Sequence, residues 1–349
     1  MAVETAPHHG EGDLRRLNLS RRRSALLWSA ANSFARFDFS HILHPFLPPL
    51  LCARGCVTIA HVELDTIHCA DSRNLREVDD GSVQLIVTSP PYNVGKDYAQ
   101  HHDAMELEEY LAFLNVVWKE CRRVLCRGGR IAVNVANTWR KPYIPLNGYI
   151  ARQLIDLGLQ MRGEIIWDKG PSAGVSTAWG SFARASNPTL RDVHEYIMVF
   201  SKESWKLEET RGSASGIENL EFVEWTKSVW RTPQDEIEDS QKSVWQFDTH
   251  SQRRNSHSPA HPTPFPLDLP LRLILLYTNI DDIVLDPFIG SGTTALAAKM
   301  TQRRFIGYEI SREYCDLAEQ RLAALECPPV IEERIERKKK RAGDKERGS

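Results

Sequence analysis

Long apolar runs are absent from this 349-residue sequence; none approaches the roughly 18 residues needed to cross a bilayer as a helix. With 42% hydrophobic and 26% charged residues and a mean hydropathy of −0.39, the chain reads as a cytoplasmic globular protein, not a membrane one. An excess of one charge is missing too: 44 Lys and Arg against 46 Asp and Glu leave a formal net charge of −2. Any face for nucleic acid must come from locally clustered basic residues, so the total neither supports nor excludes one. Paired cysteines are also lacking. The seven cysteines are odd in number and scattered, as reduced thiols would be. Cys52, Cys56, His61 and His68 do not have the spacing of a zinc module, and no metal is expected.

What is present is an interrupted α/β rhythm. Residues 1–56 carry Arg15, Arg16 and Arg21 to Arg23 and no sustained period; they read as a weakly ordered extension, with an arm touching DNA phosphates as the alternative. From residue 57 to 168, strands are expected around Thr66 to Ala70, over Gln84 to Thr88, in RIAVNVAN and in RGEIIWD. A turn with a short helix should separate the first two. A long amphipathic helix carrying Leu107, Tyr110, Leu111, Leu114, Val117 and Trp118 follows, stopped by Gly128-Gly129, and YIARQLIDLGLQ forms another. Residues 169–260 break the pattern with Gly- and Ser-rich turns, the strand HEYIMVFSK and two KSVW segments read as short strands, and are taken as an insertion. Strand–helix alternation resumes over 261–327, and 328–349 form a charged tail expected to be disordered.

Two stretches carry chemistry. In IVLDPFIGSGTTALAA a buried strand ends at Asp286, Gly290 and Gly292 form a turn, and a helix of small residues follows. Such a turn brings backbone amides to a ligand, and the next strand ends in Glu309, placed to accept hydrogen bonds from a ribose. A P-loop is excluded because no Lys-Ser/Thr follows the glycines. The third glycine of a dinucleotide turn is replaced as well, so a ligand other than a pyrophosphate is expected.

The other stretch is VTSPPYNVGKDY. Pro90 and Pro91 make the loop after a buried strand stiff and extended. An exocyclic amine on a nucleobase is a poor nucleophile, because its lone pair is delocalised into the ring; two acceptors on a rigid loop would loosen that conjugation. The Ser89 hydroxyl and Pro90 carbonyl supply two acceptors, and Tyr92 a ring face for stacking. No cysteine sits in a proline–cysteine loop, which disfavours covalent attack at a ring carbon.

VTSPPY, Val87 to Tyr92, resembles the catalytic signature of amino-methylating DNA methyltransferases of the N4-cytosine type, and LDPFIGSGTT, Leu285 to Thr294, is similar to their cofactor motif. The motif order, catalytic before cofactor, resembles the family's β arrangement. The resemblance implies a Rossmann-like α/β fold with a mostly parallel sheet flanked by helices and an inserted target-recognition region at 169–260. It implies S-adenosyl-L-methionine as cofactor, held by Asp71, Asp286, Pro287, Phe288, Gly290, Ser291, Gly292, Thr293 and Glu309. Catalysis would fall to Ser89, Pro90, Pro91 and Tyr92. HPTPFPLDLPLRLI, from His261, resembles the helix that closes the cofactor pocket. The partner would be double-stranded DNA, with Arg231, Arg253 and Arg254 as candidate contacts, and a restriction endonuclease of the same site as a companion; monomer and homodimer both remain open. Ser89 stands where many adenine enzymes carry Asp, which favours cytosine N4 over adenine N6. A DNA-binding module without turnover and an RNA methyltransferase are the alternatives.

Overall fold

The computed structural model describes residues 63–93, 97–98, 101–102, 105–137, 142–169, 180–190, 192–231 and 265–325, with positions 331 and 334. Ten strands and six helices are described. In chain order they are β1 (Thr66–Cys69), β2 (Val83–Thr88), β3 (Asp97–Tyr98), β4 (His101–His102), α1 (Leu107–Val124), β5 (Leu125–Val135), α2 (Leu146–Asp156), β6 (Leu159–Asp168), β7 (His194–Lys202), α3 (Asn219–Trp225), β8 (Val229–Arg231), α4 (Asp268–Tyr277), β9 (Ile283–Asp286), α5 (Thr293–Met300), β10 (Arg304–Glu309) and α6 (Arg312–Ala323).

Eight strands form one sheet in the order β1-β10-β9-β2-β5-β7-β6-β8, and β3 pairs with β4 as a separate ribbon. Within the large sheet only β7 is antiparallel to its neighbours. Parallel strands covered on both faces read as continuous apolar runs, and β2 is buried at all six positions. From Leu85 onward its side chains alternate between two cores, and the register shift between Val83 and Leu85 sets Val83 on the opposite side from Leu85. Val83 and Ile86 pack with α1 and α2 on one face, while Leu85 and Val87 pack with α4 and α5 on the other. β9 divides the same way, with Ile283 and Leu285 on one side and Val284 on the other. The result is a helix–sheet–helix, Rossmann-like α/β fold.

α1 buries Tyr110, Leu114, Val117, Trp118, Cys121 and Val124, one stripe of a 3.6-residue period, with Glu108 and Glu109 in its first turn and Arg122 and Arg123 in its last. Leu107 and Leu111, expected on that stripe, lie at its partly buried border. The helix ends at Val124, however, not at the glycine pair. Gly128 and Gly129 lie inside β5, where the ladder to β2 skips from Val83–Leu125 to Leu85–Arg130. The glycines serve this irregularity: Gly128 has φ +74°, and a Cβ there would lie 1.8 Å from the Lys206 carbonyl oxygen. Between β1 and β2 the chain makes turns and no helix.

The segment 169–260, expected as an insertion, is only partly separate. Its strand β7 lies between β5 and β6 in the middle of the sheet, where its buried Ile197, Met198, Val199 and Phe200 join both cores. FVEW belongs to α3, and of the two KSVW segments the first contributes to the edge strand β8, while the second lies outside the described residues, as do residues 1–62. Trp230 is buried and Trp225 packs against the same core, so both are packing residues. No described helix is long and apolar enough to cross a membrane.

Gly81 offers a control for Gly128, since its φ is +67° and an added Cβ would meet nothing within 4 Å. Gly81→Ala should lose about 1 kcal/mol for the backbone alone, and Gly128→Ala at least about 2 kcal/mol more, as urea unfolding midpoints would record.

Candidate active site

β2 and β9 are parallel neighbours, so the loops at their C-terminal ends open at one edge of the sheet. One carboxylate joins those loops. Asp286, 1% exposed, accepts the Thr88 hydroxyl at 2.8 Å and the Phe288 amide at 3.0 Å on Oδ1, and the Thr294 hydroxyl at 2.6 Å on Oδ2. Burial pushes the acid up to about 6, against the opposing pull of these three donors. Asp286 therefore shapes both loops from beneath and does not line the cavity between them. Gly292 is likewise structural: at φ +83° it starts α5, and a Cβ would come within 2.7 Å of the Ala318 Cβ on α6.

The cavity, about 230 Å³, is lined by Asp71, Pro287, Phe288, Gly290, Ser291, Thr293 and Glu309 on one side and by Ser89, Pro90, Pro91 and Tyr92 on the other. Glu309 Oε2 accepts the Gly290 amide at 3.1 Å and Oε1 the Ser311 amide at 2.9 Å, which fixes the carboxyl at the end of β10; burial raises its pKa against those amides. Asp71 follows β1. Although burial acts to raise it, the Arg73 side chain and amide hold its carboxyl below the ordinary range. Phe113 from α1 and Phe265 before α4 close the apolar walls around Phe288, so the segment expected to close the pocket does reach it. Two carboxylates for hydroxyl or ammonium groups and three aromatic rings for a flat heterocycle fit S-adenosylmethionine.

The proline loop is held from behind. Tyr110 on α1 donates to the Pro91 carbonyl at 2.6 Å, and Asn93, at φ +53°, exchanges two hydrogen bonds with the Met105 backbone. Beneath it lies a network that sequence reasoning did not reach. The Ser89 hydroxyl donates to Tyr92 Oη at 3.0 Å, and Tyr92 donates to Glu195 Oε2 at 3.1 Å. The Asn134 amide donates to both Tyr92 Oη, at 3.2 Å, and Glu195 Oε2, at 2.6 Å, and Lys169 is ion-paired with Glu195 Oε1. Burial first, and the Glu195 carboxylate second, push the Tyr92 phenol well above its ordinary value, so it remains a donor. The available signal was Glu195 itself, an acid directly before the apolar run YIMVF of β7.

Of the DNA-contact candidates, only Arg231 is among the described residues, and it does not line this cavity. Arg231 ends β8, exposed, 3.7 Å from Asp168, and Arg253 and Arg254 lie outside the described residues. Cys52, Cys56 and His61 lie outside them as well, and His68 stacks on Tyr308 with ring centroids 4.8 Å apart.

Residues 83–320 match a family of N6/N4 methyltransferases described as DNA methylase. The type II methyltransferase M.HpaI of Haemophilus parainfluenzae is 32% identical over 71% of this chain and 70% of its own length. The DNA adenine methyltransferase YhdJ of Escherichia coli is 31% identical over 73% of this chain and 81% of its own. A Thermus thermophilus protein described as a DNA modification methylase, solved in complex with S-adenosyl-L-methionine, has a TM-score of 0.54 at 27% identity, covering 74% of this chain and 94% of that one. The cytosine-N4-specific PvuII DNA methyltransferase shares the fold, with a TM-score of 0.57 at 21% identity over 78% of this chain and 90% of its own.

Asp286→Asn tests the buried acid. Its amide oxygen can keep the Thr88 and Phe288 donors while its NH₂ faces a reoriented Thr294 hydroxyl, so the packing survives and only the titration is lost. A raised folded-state pKa favours folding fully below the unfolded value near 3.8, and that contribution disappears as pH rises through about 6. Relative to Asp286→Asn, the ligand-free wild type should therefore lose on the order of 3 kcal/mol between about pH 4 and 6, read by chemical denaturation across that window.

Proposed function

Since the chain belongs to the N6/N4 DNA methylase family and is a DNA methyltransferase that uses S-adenosylmethionine, we propose that it methylates the exocyclic N4 of cytosine, flipped out of double-stranded DNA, by direct transfer to the amine. When bound, the cofactor supplies an electrophilic sulfonium methyl group. The residues around the cavity hold, orient and strip the acceptor.

The observation that carries this reading is the direction of the Ser89 hydroxyl. Asn134 can only donate to Tyr92, and the Glu195 carboxylate can only accept from it, so the single Tyr92 proton is committed to Glu195. Ser89 must then donate to Tyr92, and both its lone pairs are left for a donor on the cavity side. A group that presents only lone pairs there, beside the Pro90 carbonyl, is matched to an NH₂ and mismatched to a ring nitrogen. The loop held by Tyr110 keeps the two acceptors in place, and the Tyr92 ring receives the base. Asp71 and Glu309 would hold the polar ends of the cofactor and Phe288 would offer its ring to the heterocycle; Pro287, Ser291 and Thr293 complete the wall. A hydroxyl in place of a carboxylate at Ser89 favours cytosine.

Adenine N6 is the second reading, favoured by the relative YhdJ, a DNA adenine methyltransferase. Both bases present an NH₂ to the same acceptors. Target recognition we assign to the part of 169–260 outside the central strands, with Arg231 at the end of the edge strand β8, Arg253 and Arg254 on phosphates, and a companion restriction endonuclease fits the type II relatives.

Incubation with unmethylated DNA and deuterium-methyl-labelled cofactor, followed by nucleoside mass spectrometry, should yield labelled N4-methylcytosine. Labelled N6-methyladenine would overturn the base assignment. Ser89→Ala should lower the rate by about 10²-fold or more with cofactor affinity unchanged, and equal loss of both would remove Ser89 from the role given it.

A further inference from the structure

The Ser89–Tyr92 hydrogen bond does not end at Tyr92. We propose that Glu195 receives, through Tyr92 and Ser89, the proton that the target amine must lose as it is methylated, which makes Glu195 a positioning residue at the inner end of a built proton path. The proposal rests on the amine-methylating reading above and holds for either base.

The geometry carries it. Every donor in the path points the same way, from the cavity inward: Ser89 Oγ to Tyr92 Oη at 3.0 Å, then Tyr92 Oη to Glu195 Oε2 at 3.1 Å. A donating amine at Ser89 Oγ completes an unbroken chain of three hydrogen bonds in which each oxygen can pass on one proton and take another. As the amine nitrogen forms its bond to the methyl carbon, the carbon–sulfur bond breaks and its electron pair stays on sulfur. The nitrogen, now positive, gives one proton to Ser89 Oγ, which gives its own to Tyr92 Oη, which gives its own to Glu195 Oε2. Both hydroxyls end as they began, and the carboxylate becomes a neutral acid. No other reactant is needed.

Burial explains why an acid is kept here. Glu195 is 7% exposed, and a carboxylate in such a place is costly unless it is paired and fully hydrogen-bonded. It is both, through Lys169, Asn134 and Tyr92. An amide could have anchored Tyr92 by itself; the carboxylate in addition pairs with the Lys169 ammonium and, unlike an amide, can take up a proton. The Lys169 side chain is 27% exposed, which puts solvent within one side chain of the acid for its release afterwards.

Glu195→Gln separates the two roles. The glutamine oxygen can still accept from Tyr92 and Asn134 but cannot take up the proton, while Tyr92→Phe breaks the path and leaves the ion pair with Lys169 intact. In single-turnover methylation, each should be slower by about 10²-fold, with DNA and cofactor dissociation constants within about twofold of wild type. The double variant should be no slower than the slower single one, because both remove one unit. A readout that needs neither cofactor nor DNA accompanies these: in alkaline ultraviolet titration, the phenol absent from Tyr92→Phe should titrate at lower pH in Glu195→Gln than in wild type. A Glu195→Gln rate within about twofold of wild type would overturn the proposal and leave Glu195 as an anchor for Tyr92. Additive losses in the double variant, or cofactor affinity falling in step with rate, would also overturn it. The labelled base formed by the wild type reports separately on cytosine against adenine.

Discussion

One buried carboxylate holds the two working loops of this methyltransferase in a common frame. Asp286 reaches from the end of β9 to Thr88 at the end of β2, 198 residues away in sequence, and also to the Phe288 amide and the Thr294 hydroxyl on its own loop. The residue after Thr88 is Ser89, and the residues after Asp286 form the wall of the cofactor cavity. A shift of either strand end relative to the other would break a hydrogen bond inside an apolar core, where an unsatisfied partner costs about 1–3 kcal/mol. The distance between acceptor loop and cofactor loop is thus set below the site, by groups that line neither.

Above that frame, the polar groups are ordered by elimination. Once Asn134 donates and Glu195 accepts, the orientations of the Tyr92 and Ser89 hydroxyls follow with no freedom left. Serine alone would rotate its proton toward whatever acceptor appeared; serine backed by Tyr92 presents lone pairs only. The same economy appears at Glu309, where one backbone amide on each oxygen fixes the carboxyl and leaves capacity for a ligand.

Much of this was legible in the sequence, for reasons that differ by region. Buried parallel strands such as VQLIVT and IVLD announce themselves as apolar runs, and α1 by its stripe, so the α/β alternation and the two loops were readable. The glycines at 128 and 129 misled because a glycine pair marks either a helix end or a close backbone approach, and only the tertiary position of Lys206 decides. β7 looked like part of an insertion because sequence order does not reveal that a strand threads backward between β5 and β6. Asp286 and Gly292 stood in the expected motif but act on the loops and on α6, not on the cavity. Lys169, Asn134 and Glu195 come from three separate elements or their ends, and no spacing rule links them; only the sheet order sets them side by side.

The position of β1 has a consequence for how the protein comes into being. β1 is the first described strand, yet its one neighbour in the sheet is β10, and Phe305 donates its amide to Asp65 across a separation of 240 residues. During synthesis the strands from β2 to β8 can begin to pair and pack while β1 has nothing to join. Asp71, carried on the end of β1, meets Glu309 only after nearly the whole chain has left the ribosome. The pocket for the methyl donor therefore cannot close before β10 is made, and a nascent chain interrupted before β10 holds the serine loop but no complete place for the cofactor.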